Sequence, residues 1–145
     1  MGTMSIRIYL LIFVGMISAN QIVGQTKVSI QVTSIRKSEG QIYIALFKPG
    51  SKFPEAGHQL VGKVVPVSSH ISVMAEFDLA AGEYAAAVFQ DLNGNKKLDT
   101  NFLGIPKEPY AFSNNIKPKF SAPKFEECKF RVAATSLYLS VDLIN

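Results

Sequence analysis

The sequence predicts an all-β chain folded as an antiparallel two-sheet β-sandwich of about seven strands with one long loop. Three observations predict it. Apolar and polar residues alternate at period two through most of residues 28–90 and again over 129–143. Clusters of Gly, Pro, Ser and Asn punctuate those runs. Nowhere do apolar residues keep helical spacing over three turns.

The first alternating run sets Val28, Ile30 and Val32 against Ser29, Gln31 and Thr33, a strand with one buried face. Ser38-Glu39-Gly40 turns the chain into a second strand, Gln41 to Phe47. Lys48 to Gly57 contains Pro49, Gly50, Pro54 and Gly57 and reads as a loop. Leu60 to Val67 and His70 to Phe77 are two further β-rich runs, parted by Ser68-Ser69. Leu79 to Tyr84 reads as a turn into Tyr84 to Gln90, whose nearly continuous apolar character suits a central strand. Lys129 to Ala133 and Ser136 to Leu143 close the chain, with Leu137, Leu139, Val141 and Leu143 on one face. The Gly82-Glu83-Tyr84 opening resembles that of immunoglobulin-like and prealbumin-like modules, in which the tyrosine braces a corner between the sheets. A small closed barrel is the alternative arrangement of the same strands.

The start of the chain differs from the rest. Arg7 is the only charge before Lys27, and Ile8 to Ala19 is an uninterrupted apolar run. It is shorter than the roughly 20 residues that a membrane span needs. A basic start, a short apolar centre and the small residues Ser18, Ala19 and Gly24 match a secretory signal peptide. Residues 1–24 are therefore expected to be a leader and residues 25–145 a single β-sandwich domain. The protein is expected to be exported, periplasmic or extracellular, with no transmembrane anchor in the mature chain and no cysteine near the cleavage region for acylation.

Composition excludes more than it suggests. The one cysteine, Cys128, makes no internal disulfide and supplies no cysteine-based zinc or iron–sulfur site. Two histidines, His58 and His70, restrict imidazole chemistry, and neither sits in a recognisable motif. The net charge of +4 comes from scattered lysines and arginines, which argues against nucleic acid as a partner. Glu126 and Glu127 beside Cys128 raise a thiol's pKa, the opposite of activation.

Between Gln90 and Lys129 the alternation stops. A loop this long within a small domain is functional or disordered, and its aromatics (Phe102, Tyr110, Phe112, Phe120, Phe125) argue for packing. It opens Asp91-Leu92-Asn93-Gly94-Asn95-Lys96-Lys97-Leu98-Asp99. Oxygen-bearing side chains stand at the first, third, fifth and ninth places, as at the front of a calcium loop, where a tight turn aims alternate short side chains at one ion. Asp91, Asn93, Asn95 and Asp99 are the candidate calcium ligands, with Lys97 contributing its backbone carbonyl at the seventh place. Lys96 occupies the sixth place, usually Gly, and Phe102 the twelfth, usually Glu; Glu108 is the nearest acid in sequence that could replace it. Two carboxylates imply weak affinity, on the order of 10⁻⁴–10⁻³ M. The other reading of Asn93-Gly94-Asn95 is a plain turn whose side chains bond their own backbone.

The Asp91–Asp99 segment, followed by Asn101-Phe102-Leu103-Gly104-Ile105-Pro106-Lys107-Glu108 and Phe112-Ser113-Asn114-Asn115, resembles a family of exported bacterial proteins known as domain of unknown function 2141. Lys96, Pro109 and Ala111 stand where that pattern has glycine. The resemblance implies the fold and export, and no activity. Two functions are weighed. One is a noncatalytic exported module whose loop is ordered by calcium and contacts a protein or glycan at the cell envelope. The other is a small extracytoplasmic hydrolase or carbohydrate-binding protein using carboxylates and aromatics of residues 91–127. Intact-mass analysis of protein from its native host is expected to find a first residue between Asn20 and Lys27; recovery of the chain beginning at Met1 would overturn the leader assignment.

Overall fold

A computed structural model of the chain describes residues 24–68 and 71–145; all of the expected leader but Gly24, and His70, lie outside the described residues. Eight strands form two sheets: β1 (Gln25–Thr33), β2 (Gln41–Phe47), β3 (Val61–Pro66), β4 (Ser72–Ala80), β5 (Gly82–Asp91), β6 (Tyr110–Phe112), β7 (Phe130–Val132) and β8 (Leu137–Asp142). One sheet has the order β4-β1-β8; the other runs β3-β2-β5-β6, with β7 also paired to β5. The all-β two-sheet expectation holds, with one strand more than counted. The extra strand is β6, three residues long within the long loop and too short to show a period.

One core fills the space between the sheets. From the smaller sheet come Val28, Ile30 and Val32 of β1, Val73, Ala75, Phe77 and Leu79 of β4, and Val141 of β8. Ile42, Ile44 and Leu46 of β2, Tyr84, Ala86 and Val88 of β5, and Val132 of β7 meet them from the larger. The alternation seen in the sequence is the alternation of burial: β1 hides every second residue, with Val28, Ile30 and Val32 completely inaccessible. Burying each such side chain stabilises the fold by roughly 1.5–3 kcal/mol.

Two connections differ from expectation. The turn between β4 and β5 is a single residue, Ala81, and both strands extend towards it. β4 and β5 belong to different sheets, so the chain makes a corner here. Tyr84, 1% exposed, sends its hydroxyl back to the Ala80 carbonyl (2.9 Å). The expected tyrosine brace is in place. The second difference is that β8 pairs with β1 in parallel, Val28 opposite Leu137 through Thr33 opposite Asp142, so the sheets are not purely antiparallel. Side-chain period specifies the buried face of a strand and carries no information about its neighbour's direction. The parallel pair arises because the chain reaches β8 by crossing from β7 in the opposite sheet rather than through a hairpin.

The sheets are stitched at both ends. The buried Thr26 hydroxyl donates to the Ala133 carbonyl (2.7 Å), tying β1 to the exit from β7. Beyond β8, Leu143 N–H still bonds Thr33 of the smaller sheet (3.1 Å), and the next residue, Ile144, bridges Tyr110 of the larger. No helix among the described residues is long and apolar enough to cross a membrane.

Removing the Tyr84 hydroxyl leaves the Ala80 carbonyl without that partner at the corner. Tyr84→Phe is expected to lower unfolding free energy by about 1 kcal/mol in urea titration. Unchanged stability would show that the packed ring alone holds the corner.

Candidate functional site

The loop after β5 is built on the edge of that strand. β6 pairs only with Ala87–Phe89, and the ladder is then extended by Gln90 N–H donating to the Pro109 carbonyl (2.8 Å). One step further, Leu92 N–H donates to Glu108 Oε1 (2.9 Å), while Glu108 Oε2 accepts from Asp99 N–H (3.0 Å). Glu108 is 7% exposed and joins the two flanks of the loop by replacing missing backbone carbonyls. Across β5's other edge, Gly40 lies so close that a Cβ there would stand 2.0 Å from the Asp91 carbonyl oxygen, and its φ of +73° is one that side chains disfavour. Gln90, completely buried, donates from its amide to the Lys37 and Glu39 carbonyls (2.8 Å each), fixing the β1–β2 turn against the same point.

Asp91 is 1% exposed, and its carboxylate faces into the turn it begins. Oδ1 accepts from Gly94 N–H and Oδ2 from Lys96 N–H, both at 2.8 Å. The turn is tight: Gly94 (φ +77°) and Lys96 (φ +65°) both take left-handed backbone, so Lys96 adopts the conformation for which glycine is usual at the sixth place. Asn93 Oδ1 accepts from Asn95 N–H (3.1 Å), and Asn95 Oδ1 from Lys97 N–H (2.9 Å). The two amide nitrogens converge on one carboxylate: Asn93 Nδ2 lies 2.5 Å from Asp99 Oδ2, and Asn95 Nδ2 lies 2.9 and 3.1 Å from the two Asp99 oxygens.

The structure thus brings Asn93, Asn95 and Asp99 together, with Asp91 buried at the base of the turn. Lys97 takes part through its backbone N–H and exposes its side chain. Glu108 adjoins the loop as its position suggested, but both of its oxygens hold backbone N–H groups, an anchoring role that spacing alone does not reveal. Among the described residues no three His, Cys, Asp or Glu side chains converge as a metal-holding group. Any ion here relies on amide and carbonyl oxygens beside the carboxylates, a hard oxygen set that suits calcium.

Beyond Asp99 the chain doubles back. Thr100 bridges Pro106, Lys107 N–H donates to the Asp99 carbonyl (2.8 Å), and Asn101 Oδ1 accepts from both Leu103 and Ile105 N–H (2.9 and 3.0 Å). This braced turn leaves Phe102 95% exposed, with Leu103 and Ile105 also open to solvent. The loop's other aromatics divide. Phe112 and Phe125 meet the ring of Phe53 (centroids 5.9 and 6.2 Å), which also meets Phe47 (5.1 Å), forming a second small core with Ala85 and Cys128 on the outer face of the larger sheet. Phe120 is fully exposed.

Cys128 ends a short helix, α1 (Phe125–Cys128), and is completely buried. Burial, with Glu127 adding to it, pushes its thiol up to about 11, so it is unreactive as a nucleophile near neutrality. The other acids of the region are engaged as well: Glu126 pairs with Lys129 (2.8 Å), and Glu127 accepts from Lys124 N–H (2.7 Å) at the start of α1.

A two-sheet β-sandwich with a side-chain-braced Asx loop on its central strand is the class that this geometry defines. A family profile described as an uncharacterized protein conserved in bacteria, domain of unknown function 2141, matches residues 30–138, and the chain belongs to that family. The match runs from the middle of β1 to the start of β8 and includes the whole loop. No curated protein and no solved structure matches the chain.

Glu108→Gln keeps the side chain's shape but leaves one acceptor oxygen for two backbone donors. It is expected to lower stability by about 1–3 kcal/mol and to speed amide exchange at Leu92 or Asp99. Wild-type stability with unchanged exchange would remove Glu108 from its bridging role.

Proposed function

We propose that the chain is an exported, noncatalytic β-sandwich module whose Asp91–Asp99 loop binds calcium weakly and whose long loop makes contacts at the cell envelope. The observation that carries the proposal is the convergence of Asn93 and Asn95 on Asp99, with the Asp91 carboxylate already seated at the head of the turn. Two carboxylates, two amide oxygens and the Lys97 carbonyl would form the ligand set. Taking the ion requires the Asn93 and Asn95 amides to give up their N–H bonds to Asp99 and present oxygen instead. That exchange, and the presence of only two acids, fits an affinity of roughly 10⁻⁴–10⁻³ M.

Export rests on the Ile8–Ala19 run and its single preceding Arg7. The noncatalytic reading is supported by the way the acids of residues 91–127 are engaged. Asp91 and Glu108 are buried against backbone donors, Glu126 is paired to Lys129, and Glu127 caps its own helix. Glycoside hydrolysis, the competing proposal, needs two carboxyl groups facing each other across a substrate. The partner of the module is a protein or glycan at the cell envelope.

An ion that binds only the folded state stabilises it by RT ln(1 + [L]/Kd), so 10 mM calcium at a millimolar site adds about 1–1.5 kcal/mol. In a domain of this size that raises Tm by a few degrees. Magnesium, held to a small octahedral shell, is expected to do less. Thermal melts of the protein and of Asp99→Ala, in chelator, calcium and magnesium, test it: the calcium shift is expected in the first and absent in the second. Equal Tm for the native protein in chelator and in 10 mM calcium would make residues 93–95 an ordinary turn.

A further inference from the structure

We infer that the turn 101–106 is an anionic-membrane docking tip, inserting Phe102, Leu103 and Ile105 among lipid headgroups. The apolar side chains there are 95%, 68% and 55% exposed, although Phe, Leu and Ile are among the residues most often buried. Their exposure does not come from slack chain. The Asn101 side chain accepts two backbone N–H groups, Asn101 N–H bonds the Ile105 carbonyl (2.8 Å), Gly104 N–H bonds the Asn101 carbonyl (3.0 Å), and Gly104 takes φ +78°. The turn is held open with its apolar side chains outward, so little ordering remains to be done when it meets a surface.

Charge selects the partner. Lys96, Lys97 and Lys107 flank the turn in sequence, all exposed and all without an ion pair among the described residues. Lys107 lies directly across the backbone from Asp99. The Asp91 and Glu108 carboxylates of the same loop are buried, each against two backbone N–H groups, and Asp99 is half-buried, so the three lysines are the exposed charges of residues 91–108. An exposed apolar turn flanked by unpaired lysines fits a bilayer carrying anionic headgroups, where each nearby lysine strengthens binding about fivefold. A protein partner would instead have to offer a matching apolar pocket with an acidic rim. Docking deepens the envelope-contact reading. Its calcium dependence rests on the calcium loop proposed above, because an ion there would neutralise Asp99 and leave the lysines unopposed.

The chain contains no tryptophan, so Phe102→Trp installs a single emission reporter at the tip. It reads that position alone, whatever the apolar N-terminal run does at a membrane. With equimolar phosphatidylglycerol–phosphatidylethanolamine vesicles, its emission is expected to shift to the blue and to be quenched by brominated acyl chains. Phosphatidylcholine vesicles are expected to produce much less change. Adding Lys96→Gln and Lys107→Gln should raise the lipid needed for half-maximal shift by about tenfold or more. An unshifted Phe102→Trp spectrum at saturating anionic lipid overturns the inference, as does a blue shift that appears without lipid on raising protein concentration, the mark of self-association. The titration is run in chelator and in calcium. A shift in both with no calcium-dependent Tm change supports the tip and rejects the calcium loop; a Tm change with no shift does the reverse.

Discussion

One edge of β5 has to be hydrogen-bonded over its whole length, and no single strand does it. β2 covers the opposite edge from Gln41 to Phe47, but on this side β7 pairs only Gly82–Tyr84 and β6 only Ala87–Phe89. The interval is closed by a side chain. Ser113, 1% exposed, accepts from Ala86 N–H (2.8 Å) and donates to the Cys128 carbonyl (2.5 Å), so one hydroxyl joins β5 to both flanking segments. Buried backbone groups without partners cost as much as lost hydrogen bonds, and the long connection from Leu92 to Lys129 is shaped by the need to supply those partners. The three-alanine run Ala85-Ala86-Ala87 serves the same end. β5 is covered on both faces, and small side chains allow the outer aromatic layer of Phe53, Phe112 and Phe125 to approach it.

The site inherits its rigidity from that edge. Where backbone acceptors run out at Pro109, the Glu108 carboxylate takes the next donor, and past Asp91 the Asp91 carboxylate takes the following two, Gly94 and Lys96. The turn is in effect a continuation of the β5 ladder written in side-chain oxygens. Charge-assisted bonds of this kind are stronger than neutral ones, so the loop is anchored at its base while its outer rim stays exposed. An anchored base with an open rim supports the binding role proposed for the loop.

Much of this was legible in the sequence, and unevenly so. Strand positions were, because Val28-Ile30-Val32 or Val73-Ala75-Phe77 carry the period that burial imposes. The tyrosine corner was too, since Gly82 and Tyr84 at that spacing have few other uses. The parallel pairing of β8 with β1 was not, because inward-facing residues look alike whichever way the neighbour runs. β6 escaped because three residues cannot display a period of two. The spacing of Asp91, Asn93, Asn95 and Asp99 marks them as residues of one turn, and the structure joins Asn93, Asn95 and Asp99 by hydrogen bonds, yet Glu108 and Ser113 acquire their roles only through contacts across 16 and 27 residues of sequence. Oxygen spacing within a turn is local information; the carboxylate that closes the turn from outside is not.

The parallel pair of β1 and β8 also sets the timing of assembly. β1 is the middle strand of its sheet, yet one of its two neighbours, β8, lies far along the chain, and the side-chain contact across the pair joins Thr33 to Asp142, 109 residues apart. During synthesis β1 can zip to β4 early, but its other edge stays open until β8 arrives. An open edge is a template for pairing with any passing strand, and closure over such separations is slow because loop entropy is lost before contacts are gained. The domain is therefore vulnerable for as long as β8 is unpaired, because β8 is one whole side of its sheet.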